Sequence, residues 1–254
     1  MKPECSLNWH QVCLALGVHF KVGPVLPAVK VYNQREVDEL ILVDIVAHQS
    51  SDDLDFESII EFGQDCFVPL TVGGGIVRIE QVQKLLRAGA DKVCVNTAAY
   101  NNPGLVSEIA RRHGSQCVVA SIDVRRNLQG AGWRCFSHSG TIPTGREVIA
   151  WAREIEDRGA GEILITSIER DGTFQGYDLA LIEMVSSAVN IPVIASGGAG
   201  HYQHMVDAVK QAGASAVAAA SMFHFTEQTP AGAKAAMQAA SIPVRRNFIK
   251  NGKR

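Results

Sequence analysis

A glycine-rich stretch that occurs twice constrains the fold of this chain more than any other feature. Residues 68–76 (VPLTVGGGI) form a short apolar run that opens on a proline and ends in consecutive glycines, and residues 191–200 (IPVIASGGAG) repeat it 123 positions later. Runs rich in Val, Ile and Leu are typical of strands buried on both faces of a parallel sheet. The glycines let bare backbone approach a ligand, and the N–H groups of a helix that starts there attract phosphate.

The repetition extends beyond the glycines, so the chain consists of two related halves. Residues 38–45 match residues 161–168 at the same offset, and residues 88–93 match residues 212–217 at an offset of 124. Two units of this size indicate a duplicated half-domain. We therefore expect one domain over residues 1–254, with half-barrels at about 1–113 and 114–244 and a solvated basic tail at 245–254.

Length and composition narrow the class of protein. At 254 residues with 46% hydrophobic side chains, the chain is the size of one α/β barrel. A net charge of −2 gives no reason to expect a nucleic-acid or membrane partner. The six cysteines contain no C-x-x-C pair, which favours reduced thiols, and no segment is typical of a signal or a membrane span. We expect a cytoplasmic protein.

Strands and helices alternate along the chain, which predicts a (β/α)8 TIM barrel. We predict strands at residues 12–18, 40–45, 68–72, 92–96, 117–123, 162–167, 192–196 and 216–220. We predict helices at residues 24–33, 56–64, 79–88, 104–113, 145–158, 179–188, 202–212 and 230–239. Residues 124–144 are a long insert, which in a compact domain is usually functional or ordered by a partner.

Ligands of such barrels bind at the carboxyl ends of the strands, and two groups of residues there suit phosphate. They are expected on opposite sides of the barrel mouth, which indicates a ligand with a phosphate at each end. The alternative is that these glycines only shape turns. The first half contributes Gly74, Gly75, Asn96 and Thr97, and the second contributes Gly172, Gly197, Gly198, Ala220 and Ser221, with Thr166 and Ser196 at the ends of their strands.

Asp123 is the candidate catalytic residue because it ends an apolar strand and would face the mouth, where a carboxyl group can move protons. Its alternative role is a structural acid that caps a loop. Asp44 and Asp171 follow other strands and would bind substrate hydroxyls, although an N-cap role is open for Asp44. The histidines lack metal-ligand spacing, so neither a metal nor an organic cofactor is predicted.

Several motifs together resemble the cyclase subunits of imidazole glycerol phosphate synthase, the HisF family. The resemblance covers roughly residues 36–245. The matching segments are 38–40 (DEL), 69–76 (PLTVGGGI), 87–93 (RAGADKV), 114–119 (GSQCVV), 161–164 (GEIL), 170–173 (RDGT), 195–200 (ASGGAG) and 219–225 (AASMFHF).

The resemblance implies an activity and a partner. It implies that ammonia from a glutaminase subunit, docked at the opposite barrel face, passes through the core. There it would cleave and cyclise a bis-phosphorylated aminoimidazole carboxamide ribonucleotide to imidazole glycerol phosphate and the aminoimidazole carboxamide ribonucleotide, with two aspartates as acid and base. Asp123 matches the second aspartate, Glu39, Lys92 and Glu162 match charged residues around the ammonia entrance, and Asp91 matches a partner-interface residue.

The N-terminal segment departs from this family. The first catalytic aspartate is matched by Ala15, and the segment that follows is about a dozen residues shorter. Residues 22–40 and 121–124 are more similar to paralogues from surface-glycan clusters, which are thought to pass ammonia to a sugar amidotransferase, whereas residues 70–75 and 223–225 favour the histidine enzyme. Three hypotheses stay open: a cyclase impaired by Ala15, an ammonia-channelling module, and another phosphate-binding barrel such as a sugar-phosphate isomerase.

Overall fold

The computed structural model describes residues 10–15, 18–44, 54–127, 130 and 132–245, with side chains from residue 26 onward. Residue 45 of the predicted strand 40–45 and residues 246–254 of the predicted tail lie outside these ranges. The strands are β1 (His10–Ala15), β2 (Val18–Pro24), β3 (Leu40–Val43), β4 (Leu70–Gly73), β5 (Lys92–Val95), β6 (Val118–Arg126), β7 (Trp133–Ser137), β8 (Ile142–Glu147), β9 (Glu162–Ser167), β10 (Val193–Ser196) and β11 (Ala216–Val217). The helices are α1 (Val25–Gln34), α2 (Phe56–Asp65), α3 (Ile79–Arg87), α4 (Thr97–Asn101), α5 (Gly104–His113), α6 (Val148–Asp157), α7 (Leu179–Ser186), α8 (Tyr202–Lys210), α9 (Ser221–Phe225) and α10 (Pro230–Ala239), with a 3₁₀ turn at Ser115–Cys117.

Parallel strands alternate with helices, so the chain has an α/β fold of the TIM-barrel type, as the sequence predicts. The sheet runs in the order β3, β4, β5, β6, β9, β10, β11. Neighbouring strands pair in register, for example Val72 with Val93 and Ala120 with Ile163. Because the strands are parallel, their carboxyl ends lie at one edge of the sheet and gather the predicted ligand-binding residues there.

The structure corrects the predicted role of the first strand. Residues 12–18 were expected to open the barrel, but β1 pairs antiparallel with β2 in a separate two-stranded sheet. Ala15 pairs with Val18, so only two residues separate the strands and the pairing closes a very short loop at little entropic cost. Within the described residues, β3 and β11 are the edge strands of the parallel sheet. The Ala15 side chain is outside the described part of the structure.

The structure also corrects the prediction for the insert at residues 124–144, which forms strands and not an irregular loop. β6 continues to Arg126, pairs antiparallel with β7, and β7 pairs with β8. The alternation that defines a strand is present in β7, where Cys135 is buried and Arg134 is exposed. Because β8 extends to Glu147, helix α6 begins at Val148 rather than at the predicted residue 145.

The core has two layers, one between the sheet and its helices and one inside the barrel. Outside the sheet, α3 buries Ile79, Val82 and Leu85 on the face that their spacing predicts. Inside, a smaller apolar group consists of Cys94, Val119, Leu164 and Ile194. In the described part of the chain, no helix has the length and apolar character that crossing a membrane requires.

Candidate active site

A large cavity of about 1290 Å³ extends through the barrel from the carboxyl ends of the strands towards their amino ends. At the carboxyl end it gathers all the predicted catalytic and substrate-binding residues. These are Asp44, Gly74, Gly75, Asn96, Thr97, Asp123, Thr166, Asp171, Gly172, Ser196, Gly197, Gly198, Ala220 and Ser221. Such a cavity has the convergent polar groups of a small-molecule site.

Asp123 lies on β6 and lines this cavity. Burial raises the pKa of its carboxyl group to about 7, a hydrogen bond from Asn96 opposes that rise, and the negative charge of Asp171 adds to it. The Asn96 Nδ2 atom donates to Asp123 Oδ2 over 2.8 Å. Among the described residues, the buried Asn96 Oδ1 atom has no hydrogen-bond partner. A carboxyl group that titrates near neutral pH can both accept and donate a proton during a reaction.

Two glycine turns, one after β4 and one after β10, have matching backbones. In the first glycine turn (residues 74–77), Gly74 and Gly75 have φ of 97° and 65°, and in the second (residues 197–200), Gly197 and Gly198 have φ of 84° and 105°. A Cβ atom on Gly74 would lie 2.2 Å from the Asp44 carbonyl oxygen. Both the backbone conformation and the space therefore require glycine there.

The same packing recurs in the second half of the chain. A Cβ atom on Gly197 would lie 2.8 Å from the Ser167 carbonyl oxygen, and Ser167 stands 123 positions after Asp44. The repeated glycines thus meet the repeated strand ends in both halves, as the offset in the sequence predicts.

Two five-residue helices follow the neighbouring strands: α4 begins at Thr97, just after β5, and α9 begins at Ser221, four residues after the end of β11. The residues that precede them have similar backbones, with φ and ψ of −127° and −88° at Asn96 and −125° and −65° at Ala220. Sequence reasoning missed both helices, because five residues are too few to show helical periodicity. The signal that would have found them is the offset of 124 between Thr97 and Ser221.

The loop after β9 brings Asp171 close to Asp123. The Asp171 N–H donates to the Ser167 carbonyl over 3.0 Å. A Cβ atom on Gly197 would lie 3.3 Å from Asp171 Cβ and 3.4 Å from Thr166 Cγ2, and Thr166 is the cross-strand partner of Asp123. The carboxyl groups of Asp123 and Asp171 therefore lie on neighbouring segments of the cavity wall.

The tip of the β7–β8 hairpin reaches the first half of the site. The His138 N–H donates to Thr97 Oγ1 over 3.0 Å, and the next residue, Ser139, lines the cavity. The sequence predicts that the insert is functional or ordered by a partner, but it does not single out Ser139. Consecutive positive φ angles of 51° at His138 and 55° at Ser139 form this tip.

A cluster of charged side chains lies at the amino ends of the strands. Lys92 Nζ contacts Glu39 Oε2 at 3.0 Å and Glu162 Oε1 at 2.7 Å. Burial alone would lower the pKa of Lys92, but its hydrogen bonds to Glu162 and Glu39 outweigh this and raise it. Glu39 and Glu162 line the cavity, whereas Asp91 accepts a hydrogen bond from the Leu70 N–H over 2.8 Å.

A second ion pair at this end was not predicted. Lys234 Nζ contacts Asp38 Oδ1 at 2.7 Å, and both residues line the cavity. Their separation of almost two hundred positions in the sequence gives no local signal for the contact. In the residues that the structure describes, His, Cys, Asp and Glu side chains form no group of three or more that could hold a metal ion.

Comparisons with known proteins identify the family. Residues 17–229 match the family described as histidine biosynthesis protein. Two proteins of Caulobacter vibrioides, from strains NA1000 / CB15N and ATCC 19089 / CIP 103742 / CB 15, are each 44% identical to this chain over 238 residues, which is 92% of this chain and 92% of the relative. Both are named imidazole glycerol phosphate synthase subunit HisF. With this identity over nearly its full length, the chain belongs to the HisF family of histidine biosynthesis proteins.

Proposed function

We infer that the protein is the cyclase subunit of imidazole glycerol phosphate synthase, an enzyme of histidine biosynthesis. The observation that carries this inference is the 44% identity to HisF over 92% of the chain, together with a cavity in which Asp123 lies between two matching glycine turns. A generic phosphate-binding barrel would need neither a carboxyl group of raised pKa nor a cavity that continues to the opposite end of the barrel.

The proposed substrate is a ribonucleotide with a phosphate at each end, and the duplicated site supports this. Backbone N–H groups at the glycine turns are suited to hold the phosphates, because glycine leaves the backbone open to an anion. The first phosphate would lie near Gly74, Gly75, Asn96 and Thr97. The second would lie near Gly172, Ser196, Gly197, Gly198, Ala220 and Ser221.

Asp123 is proposed to transfer the protons of the reaction. Attack of ammonia on the substrate and closure of an imidazole ring both require protons to leave nitrogen and to reach oxygen. A carboxyl group with a pKa of about 7 exists in both protonation states at neutral pH, so Asp123 can serve in either direction. Asn96 is suited to fix the orientation of the carboxyl group, since it donates to Asp123 Oδ2. Thr166 and Asp171 are proposed to bind the hydroxyl groups of the substrate.

A glutaminase subunit is the proposed partner, docked at the amino-end face of the barrel. Glu39, Lys92 and Glu162 form the charged cluster where the cavity reaches this face, and we propose that ammonia enters there. Asp91 is proposed to contribute to the interface. Cytoplasmic location remains our prediction from the sequence.

The second candidate function is an ammonia-channelling module without cyclisation activity, and it rests on Ala15. If Ala15 replaces one carboxylate of an acid–base pair, turnover would fall by a factor of about 10² to 10⁴ while substrate binding persists. The channel and the partner interface would be the same in both cases. The two functions therefore differ in turnover and not in binding.

A direct assay separates them. The bis-phosphorylated ribonucleotide is supplied with ammonium salt at alkaline pH, and its consumption is followed by absorbance. Turnover that Asp123→Asn abolishes supports the cyclase, with Asp157→Asn, an exposed change at the end of α6, as the matched control. Tight binding without turnover in the unmodified protein would leave the channelling module, and failure to bind the ribonucleotide would reject both.

A further inference from the structure

The second glycine turn is held by side chains that lie outside the ligand site. The Gly200 N–H donates to His204 Nδ1 over 3.1 Å, and the Gly200 carbonyl accepts a hydrogen bond from Gln228 Nε2 over 2.6 Å. A Cβ atom on Gly200 would lie 2.1 Å from the Phe174 carbonyl oxygen, so this peptide is also packed tightly. Both polar groups of one residue in the turn therefore depend on side-chain partners.

The first half contains an equivalent hydrogen bond with a different side chain. Gln81 Oε1 accepts from the Val77 N–H over 2.9 Å and from the Arg78 N–H over 3.2 Å. Val77 and Gln81 stand 123 positions before Gly200 and His204. Each acceptor belongs to the first turn of the helix that follows its glycine turn, α3 in the first half and α8 in the second.

The duplication thus kept the contact but placed an amide in one half and an imidazole in the other. An amide oxygen accepts a hydrogen bond at every pH, whereas an imidazole nitrogen accepts one only while it is unprotonated. The two glycine turns should consequently differ in their response to acid.

The surroundings of His204 favour the neutral ring. A Cβ atom on Gly176 would lie 3.2 Å from the His204 ring, and the centroid of the His201 ring lies 3.7 Å away. Burial lowers the pKa of His204, as do the charges of His201 and Arg170, while Asp207 acts in the opposite direction. Since Nδ1 accepts the Gly200 N–H, the proton of the neutral ring belongs on Nε2.

We propose that His204 is a positioning residue that fixes the second glycine turn for ligand binding while its ring is neutral and releases that turn on protonation. The proposal rests on the proposed binding of a phosphate at residues 197 and 198. Protonation converts Nδ1 into a donor, which leaves the Gly200 N–H without its acceptor and places two N–H groups against each other. Acid should therefore weaken the second phosphate contact and leave the first intact.

The test measures the dissociation constant of the bis-phosphorylated ribonucleotide by calorimetry, without ammonia, between about pH 8 and pH 5. The substrate phosphates titrate in this range too, so each variant is compared with the unmodified protein at the same pH. His204→Gln installs the acceptor of the first half, and its binding should become tighter than that of the unmodified protein, by about fivefold, below the pKa of His204. At pH 8 both the unmodified protein and His204→Gln have an acceptor for the Gly200 N–H. His204→Ala has none there, so it should bind the ribonucleotide about tenfold more weakly than either.

Two further variants separate this role from a merely structural one. Gln81→His places a titratable acceptor in the first half and should add a second loss of affinity in acid. His201→Asn keeps a cap for α8 but removes the neighbouring ring. Because the charge of His201 lowers the pKa of His204, the acid-dependent loss of ribonucleotide affinity should remain in this variant and begin at a higher pH. Imidazole ¹⁵N chemical shifts of His204 report independently whether Nε2 carries the proton.

The outcomes distinguish this inference from the proposed function. If the unmodified protein binds the ribonucleotide and His204→Gln shows the same acid dependence, the positioning role is refuted and the function stands. If the ¹⁵N shifts of the neutral ring at pH 8 place its proton on Nδ1, the role is also refuted. If the unmodified protein does not bind the ribonucleotide, the proposed function fails, and the ¹⁵N measurement still decides whether His204 holds the turn.

Discussion

At the scale of single residues, Asp123 illustrates a conflict between stability and the role proposed for it. A carboxyl group that titrates near neutral pH is useful for proton transfer, but its charged form is costly to bury. Its pKa of about 7 in the folded protein compares with an ordinary value of 3.8. The folded state therefore retains a proton that the unfolded state has already released between these two pH values.

The pH dependence of stability follows from this difference. Because the folded state binds more protons between about pH 4 and pH 7, the contribution of Asp123 to the free energy of unfolding falls as the pH rises and levels off above about 7. Asp123→Asn should remove this dependence and raise the free energy of unfolding at pH 8 by about 1–3 kcal/mol. Urea unfolding of both proteins at pH 5 and pH 8 measures this change in the free energy of unfolding. An equal effect at both pH values, or the same effect in Asp157→Asn, would contradict the prediction.

Gly74 allows a second prediction at the residue scale. Alanine at position 74 would combine a φ of 97° with a Cβ atom 2.2 Å from the Asp44 carbonyl oxygen, so the strand end must move. Gly74→Ala should lower the free energy of unfolding by about 3 kcal/mol or more. Gly145→Ala is the matched control, since its φ is 75° and its Cβ atom would meet nothing within 4 Å, so it should cost about 1 kcal/mol. Equal costs in denaturant unfolding would show that the Asp44 contact does not matter.

At the scale of elements, the sequence predicts long periodic segments better than short ones. α10 begins at Pro230 and ends at Ala239 as predicted, because proline marks a first turn and Thr229 caps it. The β7–β8 hairpin was missed, since its glycines and polar residues resemble a loop, and its strand character is visible only in its pairing with β6 and in the burial of Cys135 and Ser137. The hydrophobic pattern identifies elements that bury a whole face, and hairpins of mixed character need tertiary contacts.

Asp178 joins two elements and supports a prediction at this scale. Its side chain caps α7 by accepting from the Leu181 N–H over 3.2 Å, and it also accepts from Trp133 Nε1 of β7 over 3.1 Å. Asp178→Ala removes the cap and leaves a partly buried indole N–H unpaired, so it should lower the free energy of unfolding by about 2–3 kcal/mol. Asp55→Ala, which removes the cap of α2, should cost about 1 kcal/mol. Similar losses for both in thermal unfolding would argue against the link between α7 and β7.

At the scale of the whole molecule, the duplication determines what could be predicted. The offset of 123 places both glycine turns at one end of the barrel, which the structure confirms for Gly74 and Gly197. The sequence does not reveal how β1 pairs, because a local hairpin and a distant strand compete for the same residues and short-range closure has the lower entropic cost. The ion pair between Lys234 and Asp38 joins positions that are far apart in the sequence, so the sequence pattern does not predict it either.

The charged cluster allows a prediction for the complete assembly. Lys92→Met would leave Glu39 and Glu162 facing each other without their shared cation, at the proposed ammonia entrance. With a glutaminase subunit present, glutamine-dependent turnover should fall by about 10-fold to 100-fold, while turnover with added ammonium salt changes much less. Lys30→Met, which removes an exposed ion pair with Asp65, should alter neither rate. A parallel loss of both activities in Lys92→Met would contradict a role in ammonia transfer.

The shared position of Lys92 between two carboxylates also has a mechanical consequence for the sheet. Lys92 opens β5, and its partners are Glu39, just before β3, and Glu162, the first residue of β9. One ammonium group therefore braces the start of β3, an edge strand among the described residues, against a strand of the other half of the chain.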